Sequence, residues 1–235
     1  LDQTDVGMSA LICADAFALA RSAKKLGRMD VAHELELRGA TIQETLQSLS
    51  WDSSSGIYMN RNWLNATFVE PRTAAPTSFY PMISSTPTDA QVQIMLSRWL
   101  TNASEFCVNK ICPYGMPSIA RSSPAARDND YWRGRAWGPM NFLVYLGLLQ
   151  YHHLPEVVEV LSILAQQSEA TFLVEWEKNH RVMENYNSFT GFGCDVKNAN
   201  SFYHWGALNA LIPFMRYNLT INELQRVKVK KKVNE

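Results

Sequence analysis

The sequence predicts an all-α fold of six helices paired as three hairpins. Apolar residues recur at helical spacing along most of the chain, and helix start and stop signals flank those runs. The stretches between them are long, aromatic and rich in turn residues. Met8, Leu11, Ile12, Leu19 and Ala23 share one face of the first helix, and Gly27 offers its stop. Asp30 is placed to cap the second, whose stripe runs Leu35, Gly39, Ile42, Leu46 and Leu49. A short connection makes the two a hairpin. From Trp51 to Pro87 the pattern changes: Gly56, the stretch from Tyr58 to Asn65 and four prolines predict extended, turn-rich chain with room for a short β-hairpin.

Thr88 and Gln91 have the spacing of a capping box and open a third helix that runs through Leu100. A long loop follows from Cys107 to Asp130, and loops of that length inside a compact domain are usually functional or disordered. Ala136, Met140, Leu143, Val144, Gly147 and Leu148 mark a fourth helix. Pro155 suits the first turn of a fifth, with Val157, Leu161, Leu164, Ser168 and Phe172 on one face. After a polar and aromatic loop from Asn179 to Ser201, a sixth helix spans about Phe202 to Tyr217, with Trp205, Leu208, Ile212 and Met215 inward.

The bulk composition excludes several classes. The chain has 235 residues, 46% hydrophobic, and a formal net charge of zero. A neutral chain makes no electrostatic case for nucleic acid or an anionic membrane surface. No run approaches the ~18 consecutive apolar residues of a membrane span. The one charge run, five cations in the seven residues from Arg226 to Lys232, reads as a solvated tail over 218–235. The chain starts Leu1-Asp2, as expected of a processed or truncated product. The four cysteines form no C-x-x-C pair; Cys107 and Cys112 can close a small disulfide loop or remain thiols. N-x-S/T triplets at Asn65, Asn102 and Asn218 favour a secretory route, endoplasmic reticulum or secreted, though about two would occur by chance.

Three segments concentrate chemistry. Residues 130–141 hold Trp132, Arg133, Arg135, Trp137 and Asn141 at a loop-to-helix junction. Indole faces stack on sugar rings, and Arg and Asn bond hydroxyls. Equally, the tryptophans can be core anchors and the arginines can pair with nearby aspartates. Glu184, between Met183 and Asn185-Tyr186-Asn187, is either a general base or an exposed loop carboxylate. Phe202 to Leu208 places Trp205 to close a pocket or to fill the core, with His204 structural or orienting. No metal-ligand spacing, phosphate loop or nucleophile elbow accompanies them. Taken singly, packing or surface pairing is the commoner explanation of each.

In this order, however, the segments resemble a known family. The run Tyr-Trp-Arg-Gly-x-x-Trp-x-x-Met-Asn-Phe-Leu at 131–143 is similar to the central motif of glycoside hydrolase family 63. Glu-Asn-Tyr-Asn-x-x-Thr-Gly-x-Gly at 184–193 resembles that family's base loop, Phe202 to Leu208 its closing helix, and Pro71-Arg72 to Pro81 the segment ahead of the third helix. The resemblance covers most of 5–217 and implies an (α/α)6 toroid, of which this chain supplies about the last three hairpins. It implies hydrolysis of an α-linked glucoside or mannoside by inversion, without metal or organic cofactor. Glu184 is then the general base, and Trp132, Arg133, Trp137, Asn141, Tyr186 and Trp205 line the glycone subsite. The family's acid lies in a Met-Asp-Asn-Ser-Pro-like motif that is absent here; Asp128-Asn129-Asp130 stands in the wrong place. The acid and the rest of the toroid are therefore expected from the parent chain. The alternatives are a non-catalytic carbohydrate-binding remnant and, by fold analogy, a toroid isomerase using His204.

Overall fold

The computed structural model describes residues 2–70 and 73–217. The Pro71-Arg72 pair and the tail over 218–235, Asn218 included, lie outside the described residues. Among the described residues there are six α-helices: α1 (Val6–Lys25), α2 (Met29–Thr45), α3 (Asp89–Met95), α4 (Gly138–Leu149), α5 (Pro155–Asn179) and α6 (Leu208–Arg216). Widened π turns, Leu46–Ser50 and Leu96–Leu100, extend α2 and α3. A 3-10 segment, Pro76–Ser84, precedes α3, and a shorter one, His204–Ala207, leads into α6. Two small antiparallel hairpins fill the extended stretch: β1 (Trp51–Asp52) with β2 (Ile57–Tyr58), and β3 (Arg61–Asn62) with β4 (Thr67–Phe68).

The helices stand in two rows. α1 packs on the Pro76–Ser84 segment, which packs on α4, which packs on α6. Behind this row, α2 covers α1, and α5 covers α4 and α6. α3 is tied to the neighbouring outer elements, where Gln93 donates to Glu156 on α5 and Trp99 Nε1 donates to the Ser55 carbonyl (2.6 and 2.9 Å). One continuous core runs through both rows, from Val6 and Cys13 past Phe79, Met82 and Met95 to Val144, Leu161 and Ile212.

The capping box opening α3 is complete: Gln91 N–H donates to Thr88 Oγ1 and Gln91 Oε1 accepts from Thr88 N–H. Pro155 opens α5 as expected. Other expectations need correction. The buried face of α1 is Val6, Ala10, Cys13, Ala16, Ala20 and Ala23, while Met8, Ile12 and Leu19 are exposed. The small side chains win because the hairpin is tight: a Cβ on Gly39 of α2 would lie 2.9 Å from the Phe17 ring. Asp30 is not the cap of α2. It lies within the first turn, where its charge favours the helix dipole, and Arg28 precedes the helix without a side-chain cap. Ala136 lies outside α4, held in bridges to Pro117 and Tyr186. Met215 faces outward, leaving Asn209, Ile212 and Pro213 as the buried residues of α6.

α1 and α5 have the length and mean hydropathy of membrane spans, and both pack into the core. Replacing Thr88 by Ala should lower stability by about 1 kcal/mol, since the Gln91 amide at the helix end loses its side-chain acceptor. Thr88→Ser should restore most of it. Unchanged denaturation midpoints in Thr88→Ala would show that the box contributes nothing.

Candidate active site

The junction before α4 is a tight reversal. Asn129, Tyr131 and Gly134 all have positive φ (44°, 48° and 107°), and the Arg133 amide closes a turn on the Asp130 carbonyl at 2.8 Å. Left-handed backbone in two non-glycine residues stores strain that the surroundings must hold. Here aromatic packing holds it. Trp137, the residue before α4, is fully buried and its Nε1 donates to the Tyr131 carbonyl at 3.0 Å. Trp132 stacks flat on Trp137, with ring centroids 3.5 Å apart and planes 8° apart. Tyr131 and Trp205 meet Trp137 edge-on at 5.1 and 5.8 Å. Trp132 remains 42% exposed, so the stack presents an aromatic edge at the surface.

Glu184 lies beside this stack. Met183 bridges Ser201, and the Glu184 amide donates to the Asn200 carbonyl at 2.8 Å. Glu184 is 5% exposed; its carboxylate accepts from the Tyr131 hydroxyl (3.4 Å) and the Asn200 amide (3.3 Å). Desolvation, and then the adjacent Glu184 charge, push the Tyr131 hydroxyl above its usual range, keeping it a donor. The approach of the closing segment is set by glycine: a Cβ on Gly206 would lie 1.9 Å from the Met183 carbonyl oxygen.

Three residues outside the sequence-based set hold the loop. Ala136 and Tyr186 exchange both backbone hydrogen bonds (2.7 and 2.9 Å), joining the junction to the base loop. Arg135, with no exposed surface, donates to the Asn185 side chain, to the Phe192 carbonyl (3.2 Å) and to Asp195 (2.8 Å). From the other side Glu175 of α5 accepts from the Gly193 and Cys194 amides (2.7 and 3.0 Å) and from Asn179 (2.6 Å). A sequence signal for Arg135 existed in its place inside the Trp-Arg-Gly run; Glu175 had none beyond being a carboxylate on an apolar helix.

Of the expected site residues, Glu184, Trp132 and Trp205 come together at the partly open face. Trp137, Asn141 and Tyr186 are fully buried and stand one layer behind it. Asn141 ties Met116 to α4, accepting from its amide (2.9 Å) and donating to its carbonyl (3.2 Å), and the Tyr186 hydroxyl accepts from the Met183 amide (3.1 Å). Arg133 turns outward to Asp128 and Asp130, at 2.8 and 2.9 Å. The bonds from Arg133 hold the Asp128 carboxyl below its usual range, so it stays ionised and is unsuited to giving up a proton. Asp130 also accepts from Asn198 at 2.7 Å. His204 is exposed and stacks on Tyr203. Among the described residues no group of three His, Cys, Asp or Glu is placed to hold a metal. The Cys107–Cys112 disulfide is formed, and the Gln167 amide donates to the Cys107, Asn109 and Cys112 carbonyls (3.0, 3.1 and 2.7 Å).

The fold matches solved (α/α)6 toroid enzymes. One is the GH63 mannosylglycerate hydrolase from Thermus thermophilus in complex with Tris, with a TM-score of 0.69, 21% identity, and coverage of 89% of this chain and 45% of that one. Another is the neutral trehalase Nth1 from Saccharomyces cerevisiae, with a TM-score of 0.66, 15% identity, and coverage of 94% and 39%. The architecture is thus all-α and that of part of an (α/α)6 toroid, as the sequence resemblance implied. The model of the mannosylglycerate hydrolase MGH1-like glycoside hydrolase domain matches residues 2–205, and the chain belongs to that family. Mannosylglycerate hydrolase MGH1 from Selaginella moellendorffii is 29% identical over 164 residues, 68% of this chain and 30% of that protein. The mannosylglycerate hydrolase of Thermus thermophilus is 26% identical over 164 residues, 68% and 34%. The chain therefore spans about a third of the length of these curated relatives.

The loop clamp makes stability pH-dependent. Burial acts to raise the Glu175 pKa, but the bonds from Asn179 and the Cys194 and Gly193 backbone outweigh it and hold the carboxyl below its ordinary 4.5. A depressed folded pKa gives stability that is full above about 4.5 and fades as pH falls through the folded value. Urea midpoints of the wild type and Glu175→Gln should therefore converge as pH drops below that point. A gap independent of pH would refute the charged clamp.

Proposed function

We propose that this chain is the base-bearing part of an (α/α)6 glycoside hydrolase that cleaves an α-linked glucoside or mannoside with inversion. The observation that carries the reading is the Glu184 carboxylate, held by Tyr131 and Asn200 next to the Trp132–Trp137–Trp205 stack. A carboxylate fixed through both oxygens is oriented to take a proton from water as that water attacks the anomeric carbon. In inversion the acid stands across the sugar, roughly 6.5–9.5 Å from the base, so water fits between them. Trp132 and Trp205 offer ring faces and edges to the apolar side of the pyranose. Trp137, Asn141 and Tyr186 act as the backing that fixes them, and Arg133 offers a guanidinium at the rim. Mannosylglycerate hydrolases among the relatives favour an α-mannoside of a small organic acid within the proposed class.

The acid comes from the remainder of the parent chain. Asp128 is held ionised and Asp130 is bonded to Arg133 and Asn198, which leaves neither suited to the role. Among the described residues both ends of the inner row are apolar and exposed: Met8, Ile12 and Leu19 on α1, and Leu211, Phe214 and Met215 on α6. Faces of this kind fit further helices closing a ring.

In the complete protein, Glu184→Gln should lower turnover by about 10²–10⁴-fold with a far smaller loss of sugar affinity. Near-normal turnover would sink the assignment, and proton NMR of the first-formed anomer separates inversion from retention. Trp132→Ala should weaken sugar binding while leaving the unfolding transition in place; global unfolding would make Trp132 a core anchor instead. Sugar binding by a complete protein with no hydrolysis would replace the enzyme by a carbohydrate-binding remnant.

A further inference from the structure

The triplet Asn65-Ala66-Thr67 occupies the tip of the β3–β4 hairpin, with residues 63–67 all exposed. Asn65 Oδ1 accepts from the Thr67 amide (3.2 Å) and the Thr67 hydroxyl (2.7 Å). Its carboxamide nitrogen has no partner among the described residues, and the next residue, Ala66, has a φ of 56°. Arg61 Nε donates to the Ala66 carbonyl (2.7 Å), so the tip is held by bonds within its own hairpin. Trp63 and Leu64 beside it are 69% and 75% exposed, an apolar tip bare to solvent.

The other described triplet differs. Asn102 follows the π turn after α3; its side-chain nitrogen donates to the Arg98 carbonyl (3.1 Å), and its own carbonyl accepts from the Glu105 and Cys107 amides (3.0 Å each). It is built into the helix end and the approach to the Cys107–Cys112 disulfide. That disulfide bears on compartment, because such bonds form and persist where the environment is oxidising.

We propose that Asn65 is a glycosylation site and carries an N-linked oligosaccharide. The N-x-S/T triplet supplies the acceptor amide and the hydroxyl two residues on that its recognition requires. The donor is an oligosaccharide joined to a polyprenyl diphosphate, brought by a membrane-bound transferase. The Asn65 nitrogen forms a bond to the anomeric carbon, the bond from that carbon to the phosphate oxygen breaks, the lipid diphosphate leaves, and the amide gives up one proton. The attached sugar then shields Trp63 and Leu64. The assignment is independent of any catalytic role for Glu184.

The test is peptide mass spectrometry of the complete protein isolated from its source. Tryptic cleavage after Arg61 and Arg72 isolates Asn65 within one peptide. Treatment with a peptide-N-glycosidase in heavy-oxygen water should release glycan and leave a labelled aspartate at position 65. Expressed through a eukaryotic secretory pathway, Asn65→Gln and Thr67→Val should both lose that glycan, and Thr67→Ser should keep it. Recovery of residues 62–72 only as the unmodified peptide would overturn the proposal. So would glycan retained at Asn65 in Thr67→Val.

Discussion

Arg135 sits without exposed surface between the two segments of the candidate site, its guanidinium joined to Asn185, Asp195 and the Phe192 carbonyl. A guanidinium removed from water needs partners for its charge and its donors, and its planar fork lets one side chain hold several acceptors at once. Here those acceptors all lie on the base loop, while the backbone of Arg135 and Ala136 belongs to the aromatic junction. The position of Glu184 relative to Trp132 therefore rests on this buried cation together with the Ala136–Tyr186 backbone pair. Breaking a buried pair by removing one partner typically costs about 3–5 kcal/mol, because the remaining group stays desolvated and unpaired. In this chain that loss would fall on the alignment of the base as much as on stability.

Much of this was legible in the sequence. Thr88 with Gln91, Pro155 and the Tyr-Trp-Arg-Gly run each announce a local geometry that neighbours a few residues away can satisfy. What the chain alone hides is orientation. Arg133 and Arg135 are two apart and would share a face in simple extended chain. The positive φ of Gly134 between them breaks that alternation, sending Arg133 out to two aspartates and Arg135 inward. Likewise Trp137, Asn141 and Tyr186 carry polar and aromatic groups fit for a sugar, yet their bonds fix backbone. Burial decides between those uses, and burial depends on contacts distant in sequence.

The misread face of α1 has a related cause. Met8, Ile12 and Leu19 are larger than the alanines opposite them, and size dominates any apolar stripe read from periodicity. A helix apolar on both sides fits between two layers, and among the described residues only the alanine face of α1 is buried. The same holds at α6, whose outward residues are apolar while Ile212 and Pro213 face the core.

The stack of Trp132 on Trp137, with Trp205 at its edge, also makes the site spectroscopically distinctive. Indoles lying nearly parallel at 3.5 Å share their excited states, so their absorption splits into a paired circular-dichroism band and their emission departs from that of isolated indoles. The outer ring is the partly exposed one, and anything that tilts it would uncouple the pair. The chain thus carries its own chromophore at the candidate binding face, one that reports on the arrangement of the wall without an attached label.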